Sequence, residues 1–217
     1  MRPFQAVIFD LDGTLLDTER LIIDAALSVL EARGHAVSRD FIVGLVGTAD
    51  SEGIRRLGDH IGPAFDGDTF DADWSRAART AYAGGIPLMA GVAELLDHLH
   101  RRDIPRAVGT NSLTASALRK LGQAGIAARF DPAHVVGYDA VGRPKPAPDV
   151  FLEAARRLGA DPARCVVFED SDPGVAAALA AGMTVVQIPD MKPPATRDAH
   201  HLAATMIEGA RWAGLLG

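Results

Sequence analysis

The hydrophobic pattern of the chain opens with an apolar run over 6–9 that is rich in strand-forming residues. The run stops at Asp10, and Gly13 follows as a turn residue. A strand that is apolar throughout is typical of a sheet covered on both faces, and such sheets are usually parallel. Reactive groups of parallel sheets lie just beyond the carboxyl ends of the strands. The pattern therefore places Asp10 and Asp12 at that edge.

After residue 86 the pattern alternates between helical and extended periodicity. Predicted strands cover 105–110, 134–137, 164–169 and 183–188, and predicted helices cover 92–102, 113–123, 147–158 and 173–181. A last helix is predicted near 200–215, after a surface connection over 189–197. Regular alternation of this kind predicts an α/β fold, a doubly wound parallel sheet.

Between residues 16 and 86 the pattern is helical, with no convincing strand. Thr18 and Ser38 are predicted to cap the first two helices, and Gly44 and Gly47 interrupt the second. The predicted helices cover 19–33, the stretch from 38 toward 45, 50–60 and 68–83.

These patterns predict two domains. An α/β core is formed by 1–15 and 87–217, and the segment 16–86 is inserted into it as a helical cap domain. A chain of 217 residues is long enough for one full core and a small insertion.

The composition is that of an ordinary globular protein and narrows the possible partners. The formal net charge is −6 and no cluster of lysines and arginines is present, so nucleic acid is not expected as a partner. The first apolar run breaks too early for a signal peptide, and no stretch is long enough to cross a membrane. We therefore predict a cytoplasmic protein with no membrane association, and favour a monomer over an obligate oligomer. The only cysteine, Cys165, excludes an internal disulfide.

Polar residues follow four of the predicted strands, whose carboxyl ends share one edge of the sheet. They are Asp10 and Asp12; Thr110, Asn111 and Ser112; Lys145; and Glu169 and Asp170. Paired carboxylates repel each other unless a cation or a shared proton lies between them, which indicates a hard cation such as Mg²⁺. Lysine, hydroxyl groups and helix N-terminal amides bind anions. Together these groups predict a site for a phosphate group.

Four motifs in this order resemble the haloacid dehalogenase-like (HAD) hydrolase superfamily, in the branch with a helical cap after the first motif. They are Asp10-Leu-Asp12-Gly-Thr14, then Thr110, then Lys145 followed by Pro146-Ala-Pro-Asp149, and finally Glu169-Asp170-Ser-Asp-Pro-Gly174. The spacing fits over nearly the whole chain. The chain is similar to β-phosphoglucomutases and phosphoglycolate phosphatases.

The resemblance implies a phosphomonoester hydrolase that acts through an aspartyl-phosphate on a small phosphorylated metabolite, such as a sugar phosphate or phosphoglycolate. Asp10 would be the nucleophile. Asp12 would protonate the leaving oxygen and then activate water. Thr110 and the Asn111 amide would bind the transferring phosphoryl group. Lys145 would bridge that group and the nucleophile.

The resemblance also implies a Mg²⁺ site beside the nucleophile. The ion would be held by Asp10, the backbone carbonyl of Asp12 and Asp170, with Glu169 nearby and acting through water. Mg²⁺ and Lys145 would together balance the charges of Asp10 and a phosphate dianion.

Several alternatives stay open beside the phosphatase. A phosphosugar mutase shares this core, but Ile22 and Asp50 stand near the positions where β-phosphoglucomutases carry a cap histidine and an arginine. A dehalogenase would lack Asp12 in this role. A phospho-accepting receiver has a similar strand-end aspartate but no inserted cap, and a phosphate-binding regulatory protein would not require every motif residue to be intact.

Overall fold

The computed structural model describes residues 4–45 and 50–217, except for the side chains of 50 and 51. The chain divides into two compact units, one formed by Met1–Asp17 and Pro87–Gly217 and the other by Thr18–Ile86. The first is the α/β core and the second is the helical cap. No helix in the described ranges is both long and apolar enough to cross a membrane.

The core unit is built on a parallel sheet that has six strands within the described residues, in the order β3-β2-β1-β4-β5-β6. The strands are β1 (Ala6–Phe9), β2 (Arg106–Thr110), β3 (Val135–Gly137), β4 (Cys165–Glu169), β5 (Thr184–Gln187) and β6 (His201–Leu202). β1 lies at the centre, where Ile8 pairs with Ala107 of β2 and with Val167 of β4. The first apolar run is therefore completely buried, as its lack of polar positions predicts.

Helices of the core follow the strands in alternation. They are α5 (Val92–Arg101), α6 (Thr114–Gln123), α7 (Asp149–Leu158), α8 (Asp172–Ala180) and α9 (Met206–Trp212). Side chains of α7 and α8 pack with Ile8 and Val167 in one buried cluster. Phe168 points to the other face, because successive strand residues alternate, and there it lies under Gly209 of α9. The predicted doubly wound α/β core is confirmed.

The cap unit is helical in its described residues. Its helices are α1 (Thr18–Ala32), α2 (Arg39–Leu45), α3 (Asp50–Ile61) and α4 (Gly67–Ala83). α1 packs along α4, and the Trp74 indole N–H donates to the Ile22 carbonyl at 2.9 Å. Arg33 at the end of α1 pairs with Asp73 of α4 at 2.6 Å. These contacts hold the cap together internally.

One prediction about the elements is wrong in part. The helix predicted near 200–215 is a short edge strand, β6, followed by α9, because Val186 and Gln187 of β5 pair with this segment. The second cap helix, α2, ends at Leu45, the residue toward which it was predicted to run, and Gly44 lies in its last turn. Ser38 does cap α2, accepting a hydrogen bond from the Phe41 N–H at 3.2 Å. Gly47 lies outside the described residues.

Candidate active site

The first strand delivers Asp10 to the carboxyl edge of the sheet. The Asp10 N–H still donates to the Phe168 carbonyl at 2.9 Å, so β1 and β4 hold this residue at their common end. The chain then turns at Gly13, which has a φ of +85°. A Cβ there would lie 2.6 Å from Asp170 Oδ2. Glycine is required both by the left-handed backbone and by the close approach of Asp170.

Lys145 lies between two buried carboxylates. Its Nζ donates to Asp10 Oδ1 at 2.5 Å and to Glu169 Oε1 at 2.8 Å. The side chains of Asp10, Lys145 and Glu169 are 9%, 3% and 1% exposed. The ammonium also lies 4.6 Å from the ring centre of Phe151. Charge-assisted hydrogen bonds in such a buried setting are strong, so the three groups form one fixed cluster.

Burial is the main influence on the pKa values of this cluster, and the single ammonium compensates it only in part at Asp10. Burial raises the pKa of Asp10 from 3.8 to about 7; Lys145 opposes the rise and the Glu169 charge adds to it. Burial also disfavours the charged form of Lys145, but the two carboxylates outweigh it and raise the pKa of Lys145. The cluster therefore has an excess of negative charge that a further cation would relieve.

Asp170 completes an acidic group beside Lys145. Three carboxylate oxygens lie within 4.8 Å of one another, one each from Asp10, Glu169 and Asp170. Thr14 orients Asp170 by donating its hydroxyl to Oδ1 at 3.1 Å. Carboxylate oxygens are the ligands that hard divalent cations prefer, so this donor set fits such an ion.

The start of α8 is shaped around the Glu169 carboxylate. Glu169 Oε2 accepts from the Ser171 N–H at 2.7 Å and from the Ser171 hydroxyl at 2.9 Å. A Cβ on Gly174 would lie 1.6 Å from Glu169 Oε1. Gly174 is thus the residue that lets the first turn of α8 approach the acidic group.

The end of β2 supplies Thr110 and Asn111 next to β1. Thr110 is buried, and its hydroxyl oxygen accepts from the Ser112 N–H at 3.0 Å. Asn111 Oδ1 accepts from the Lys145 N–H at 2.7 Å, and Nδ2 donates to the Lys145 carbonyl at 3.3 Å. The Asn111 side chain therefore fixes the backbone at Lys145. The predicted phosphate contacts of Thr110 and Asn111 stay predictions.

The Asp12 carboxylate has a different set of partners. It accepts hydrogen bonds from Lys120 and Ser112, and its side chain is 28% exposed. The predicted metal contact through the Asp12 backbone carbonyl stays a prediction. Sequence reasoning noted Ser112 and missed Lys120. The available signal was weak: Lys120 lies on α6 beside the buried positions Ala117 and Leu121, as many helix-surface lysines do.

This arrangement presents a buried acidic group around the Lys145 ammonium at the end of a parallel sheet, and the comparison with known proteins agrees with it. A family model described as haloacid dehalogenase-like hydrolase matches residues 7–188, which is well over half of the chain. The chain belongs to this family. The match includes the whole cap and all four motifs at the sheet edge.

Curated relatives of this HAD-family chain include phosphatases. It is 34% identical to fructose-1-phosphate phosphatase YqaB of Escherichia coli (strain K12), over 85% of this chain and 96% of that protein. It is 33% identical to a bifunctional riboflavin kinase/FMN phosphatase of Arabidopsis thaliana, over 85% of this chain but only 48% of the relative, so it spans about half of that protein. The predicted enzyme class, a HAD-family phosphatase, is confirmed.

Solved structures confirm the fold and the cap type. A HAD family hydrolase from Deinococcus radiodurans R1, solved with bound phosphate and sodium, has a TM-score of 0.81 at 30% identity and covers 100% of this chain and 99% of its own. A putative β-phosphoglucomutase from Thermotoga maritima has a TM-score of 0.75 at 29% identity, covering 97% of this chain and 91% of its own. The predicted similarity to β-phosphoglucomutase is therefore confirmed.

Proposed function

We propose that this chain is a Mg²⁺-dependent phosphomonoester hydrolase that forms an aspartyl-phosphate on Asp10. The observation that carries the proposal is the Lys145 ammonium, fixed 2.5 Å from Asp10 Oδ1 and 2.8 Å from Glu169 Oε1 at the end of β1. It places a permanent positive charge beside the proposed nucleophile, where a phosphate dianion must approach.

Electrostatics explains why that charge is needed. At about 4 Å and an effective dielectric of about 20, a carboxylate repels a phosphate dianion by roughly 8 kcal/mol. Uncompensated, this would slow the reaction by about six powers of ten. Lys145 contributes one positive charge, and a divalent cation would contribute two. Together they would balance the dianion and Asp10.

The donor set supports a divalent cation as cofactor. Asp10, Glu169 and Asp170 would hold it, since their oxygens already lie within 4.8 Å of one another. When bound, the ion would supply charge neutralisation for the phosphate oxygens. Mg²⁺ is the proposal because small all-oxygen sites with few carboxylates suit it, with water and substrate oxygens as the remaining ligands.

The remaining roles that we propose are those implied by the family resemblance. Asp10 attacks phosphorus as nucleophile, and Asp12 gives a proton to the leaving oxygen and later takes one from the hydrolytic water. Thr110 and the Asn111 amide bind the transferring group at the end of β2. Lys145 bridges that group and Asp10. Such positioning with charge stabilisation is what phosphoryl transfer mainly requires.

A small phosphorylated metabolite is the proposed substrate, with sugar phosphates first. The support is the similarity to fructose-1-phosphate phosphatase YqaB over nearly all of that protein. Phosphoglycolate and nucleotides belong to the same test panel. The monomeric state and the cytoplasmic location stay predictions.

A phosphosugar mutase is the second candidate, because the putative β-phosphoglucomutase from Thermotoga maritima shares the fold at 29% identity. Ile22, near the position of the cap histidine of such enzymes, lies in α1, and its carbonyl accepts from Trp74 inside the cap. Its apolar side chain cannot serve as an acid or base. ³¹P NMR with glucose 1-phosphate separates the two functions: a mutase yields a second sugar phosphate and a phosphatase yields inorganic phosphate.

The test is turnover of p-nitrophenyl phosphate. We expect hydrolysis with Mg²⁺, loss with EDTA, and loss of at least 10³-fold in Asp10→Asn, since the nucleophile is removed. Asp103→Asn is the matched control: Asp103 is exposed, precedes β2 at the opposite edge of the sheet, and has a φ of 49° that asparagine tolerates. An active Asp10→Asn variant would refute the proposal.

A further inference from the structure

The Asp12 carboxylate is held by two side chains of the core unit. Lys120 Nζ donates to Asp12 Oδ1 at 2.7 Å and to Oδ2 at 2.9 Å. The Ser112 hydroxyl donates to Oδ2 at 2.8 Å, and Lys120 Nζ lies 3.2 Å from the same hydroxyl oxygen. The three side chains form a closed triangle of hydrogen bonds, with both carboxylate oxygens engaged.

The path of α6 explains how a lysine reaches this place. α6 follows β2, so its N-terminus lies at the carboxyl edge of the sheet. Side chains on a helix tilt toward its N-terminus, and Lys120 therefore extends back toward that edge. Its side chain is only 11% exposed. This low exposure distinguishes Lys120 from surface lysines, whose ion pairs are weak and mobile.

We propose that Lys120, assisted by Ser112, is a positioning residue for proton transfer by Asp12. The inference rests on the proposed function, because it assigns a partner to the acid and base of that reaction. Asp12 must enter the first step protonated, having taken up a proton from solvent. In that step the Asp10–phosphorus bond forms, the bond from phosphorus to the ester oxygen breaks, and the Asp12 proton moves to that oxygen. The negative charge left on Asp12 then lies beside the Lys120 ammonium, which stabilises it.

A purely structural role makes a different prediction. If Lys120 only ties α6 to the loop after β1, its loss should slow all substrates equally. If it acts through Asp12, the loss should depend on how much the leaving group needs a proton. Nitrophenolate leaves without protonation, whereas phenolate is a stronger base and gains from it. p-Nitrophenyl phosphate and phenyl phosphate are otherwise closely matched.

The experiment measures kcat and KM for both esters with Mg²⁺. We expect Lys120→Met to lower kcat/KM about 10- to 100-fold for phenyl phosphate, the equivalent of one charge-assisted hydrogen bond, and less than threefold for p-nitrophenyl phosphate. The esters are compared by kcat/KM, which reports the steps up to cleavage of the ester bond, because hydrolysis of the aspartyl-phosphate is common to both esters and enters kcat. Lys120→Arg, which keeps the charge, should recover part of the phenyl phosphate activity. Arg119→Met is the control, because Arg119 is the exposed neighbour on the same helix.

An equal loss for both esters, or no loss, would overturn the inference while leaving the phosphatase intact. A wild-type protein that hydrolyses neither ester would instead overturn the proposed function, and the inference with it. A thermal melt checks that each variant folds. If Lys120→Met does not fold, Lys120→Gln and Ser112→Ala are measured instead. The same selective loss for phenyl phosphate is expected for them.

Discussion

Replacing Asp10 with asparagine should stabilise the metal-free protein, and the gain should grow as the pH rises. The reason is the crowding of Asp10 and Glu169 around a single ammonium, Lys145, in a buried site. Asparagine removes one negative charge and leaves Lys145 paired with Glu169 alone. The variant also loses the proposed nucleophile, so stability and activity should change in opposite directions.

The magnitude follows from the pKa of Asp10, which burial raises from 3.8 to about 7. Because the folded value lies above the unfolded one, the contribution of Asp10 to stability is fully present below about pH 4. It is lost as the pH rises through 7. Each unit of pKa difference is worth about 1.4 kcal/mol, so the total loss is roughly 4 kcal/mol, of which about 3 kcal/mol falls between pH 5 and pH 8.

The assay is urea unfolding in EDTA at pH 5 and pH 8. A Trp74→Phe background leaves Trp212 of α9 as the one tryptophan, so its fluorescence reports the core unit. The advantage of Asp10→Asn in unfolding free energy should increase by about 3 kcal/mol between the two pH values. Asp103→Asn should show no such increase. If the difference in unfolding free energy between wild type and Asp10→Asn is the same at pH 5 and pH 8, the reasoning is refuted.

Added Mg²⁺ extends the same test. At a hundredfold excess over its dissociation constant, a bound ion stabilises the native state by about 2.7 kcal/mol. The wild-type protein at pH 8 should regain stability, since the ionised acidic group is the proposed Mg²⁺ site. Asp10→Asn has one ligand fewer and should gain less. Equal gains would indicate that Asp10 is not a ligand.

Three further predictions concern the Lys145 ammonium, Gly174 and the Cys165 thiol. Lys145→Met should lower kcat for p-nitrophenyl phosphate about 10³-fold, because the charge facing the dianion is lost; retention of more than a tenth of the activity would contradict the role of Lys145. Gly174→Ala should cost at least about 2 kcal/mol of unfolding free energy and weaken Mg²⁺ binding by calorimetry, since its Cβ would lie 1.6 Å from Glu169 Oε1. Gly122→Ala, in α6 with open space around its Cβ, should instead stabilise by up to about 1 kcal/mol. Burial raises the pKa of Cys165 to about 11, so iodoacetamide at pH 7.5 should alkylate it only after unfolding, as followed by mass spectrometry; rapid native labelling would mean that the thiol is accessible.

The main strands of the core could be predicted because each is centred on a short run of apolar or small residues, although polar residues stand at the ends of β2, β4 and β5. The predicted strand over 164–169, for example, is β4 at Cys165–Glu169. β6 could not be predicted this way. It is two residues long, begins with His201, and exists because β5 pairs with it along the edge of the sheet. Local periodicity carries no information about that pairing.

The chemistry at the site could be predicted only in part. The acidic pairs Asp10–Asp12 and Glu169–Asp170 were visible because each one ends an apolar run. Lys120 was not visible, because a lysine on a helix beside buried positions has the same local pattern whether it faces solvent or a carboxylate. Its distance to Asp12, 108 residues away in the chain, depends on where α6 packs.

The sequence by itself determined which residues are buried in the strands other than β6 and which polar groups follow them, since burial along one element depends on its own periodicity. Tertiary structure alone decided that Lys145 is shared by Asp10 and Glu169. Those contacts join segments far apart in the chain. The order of the strands and the helices between them set these distances, which no local pattern encodes.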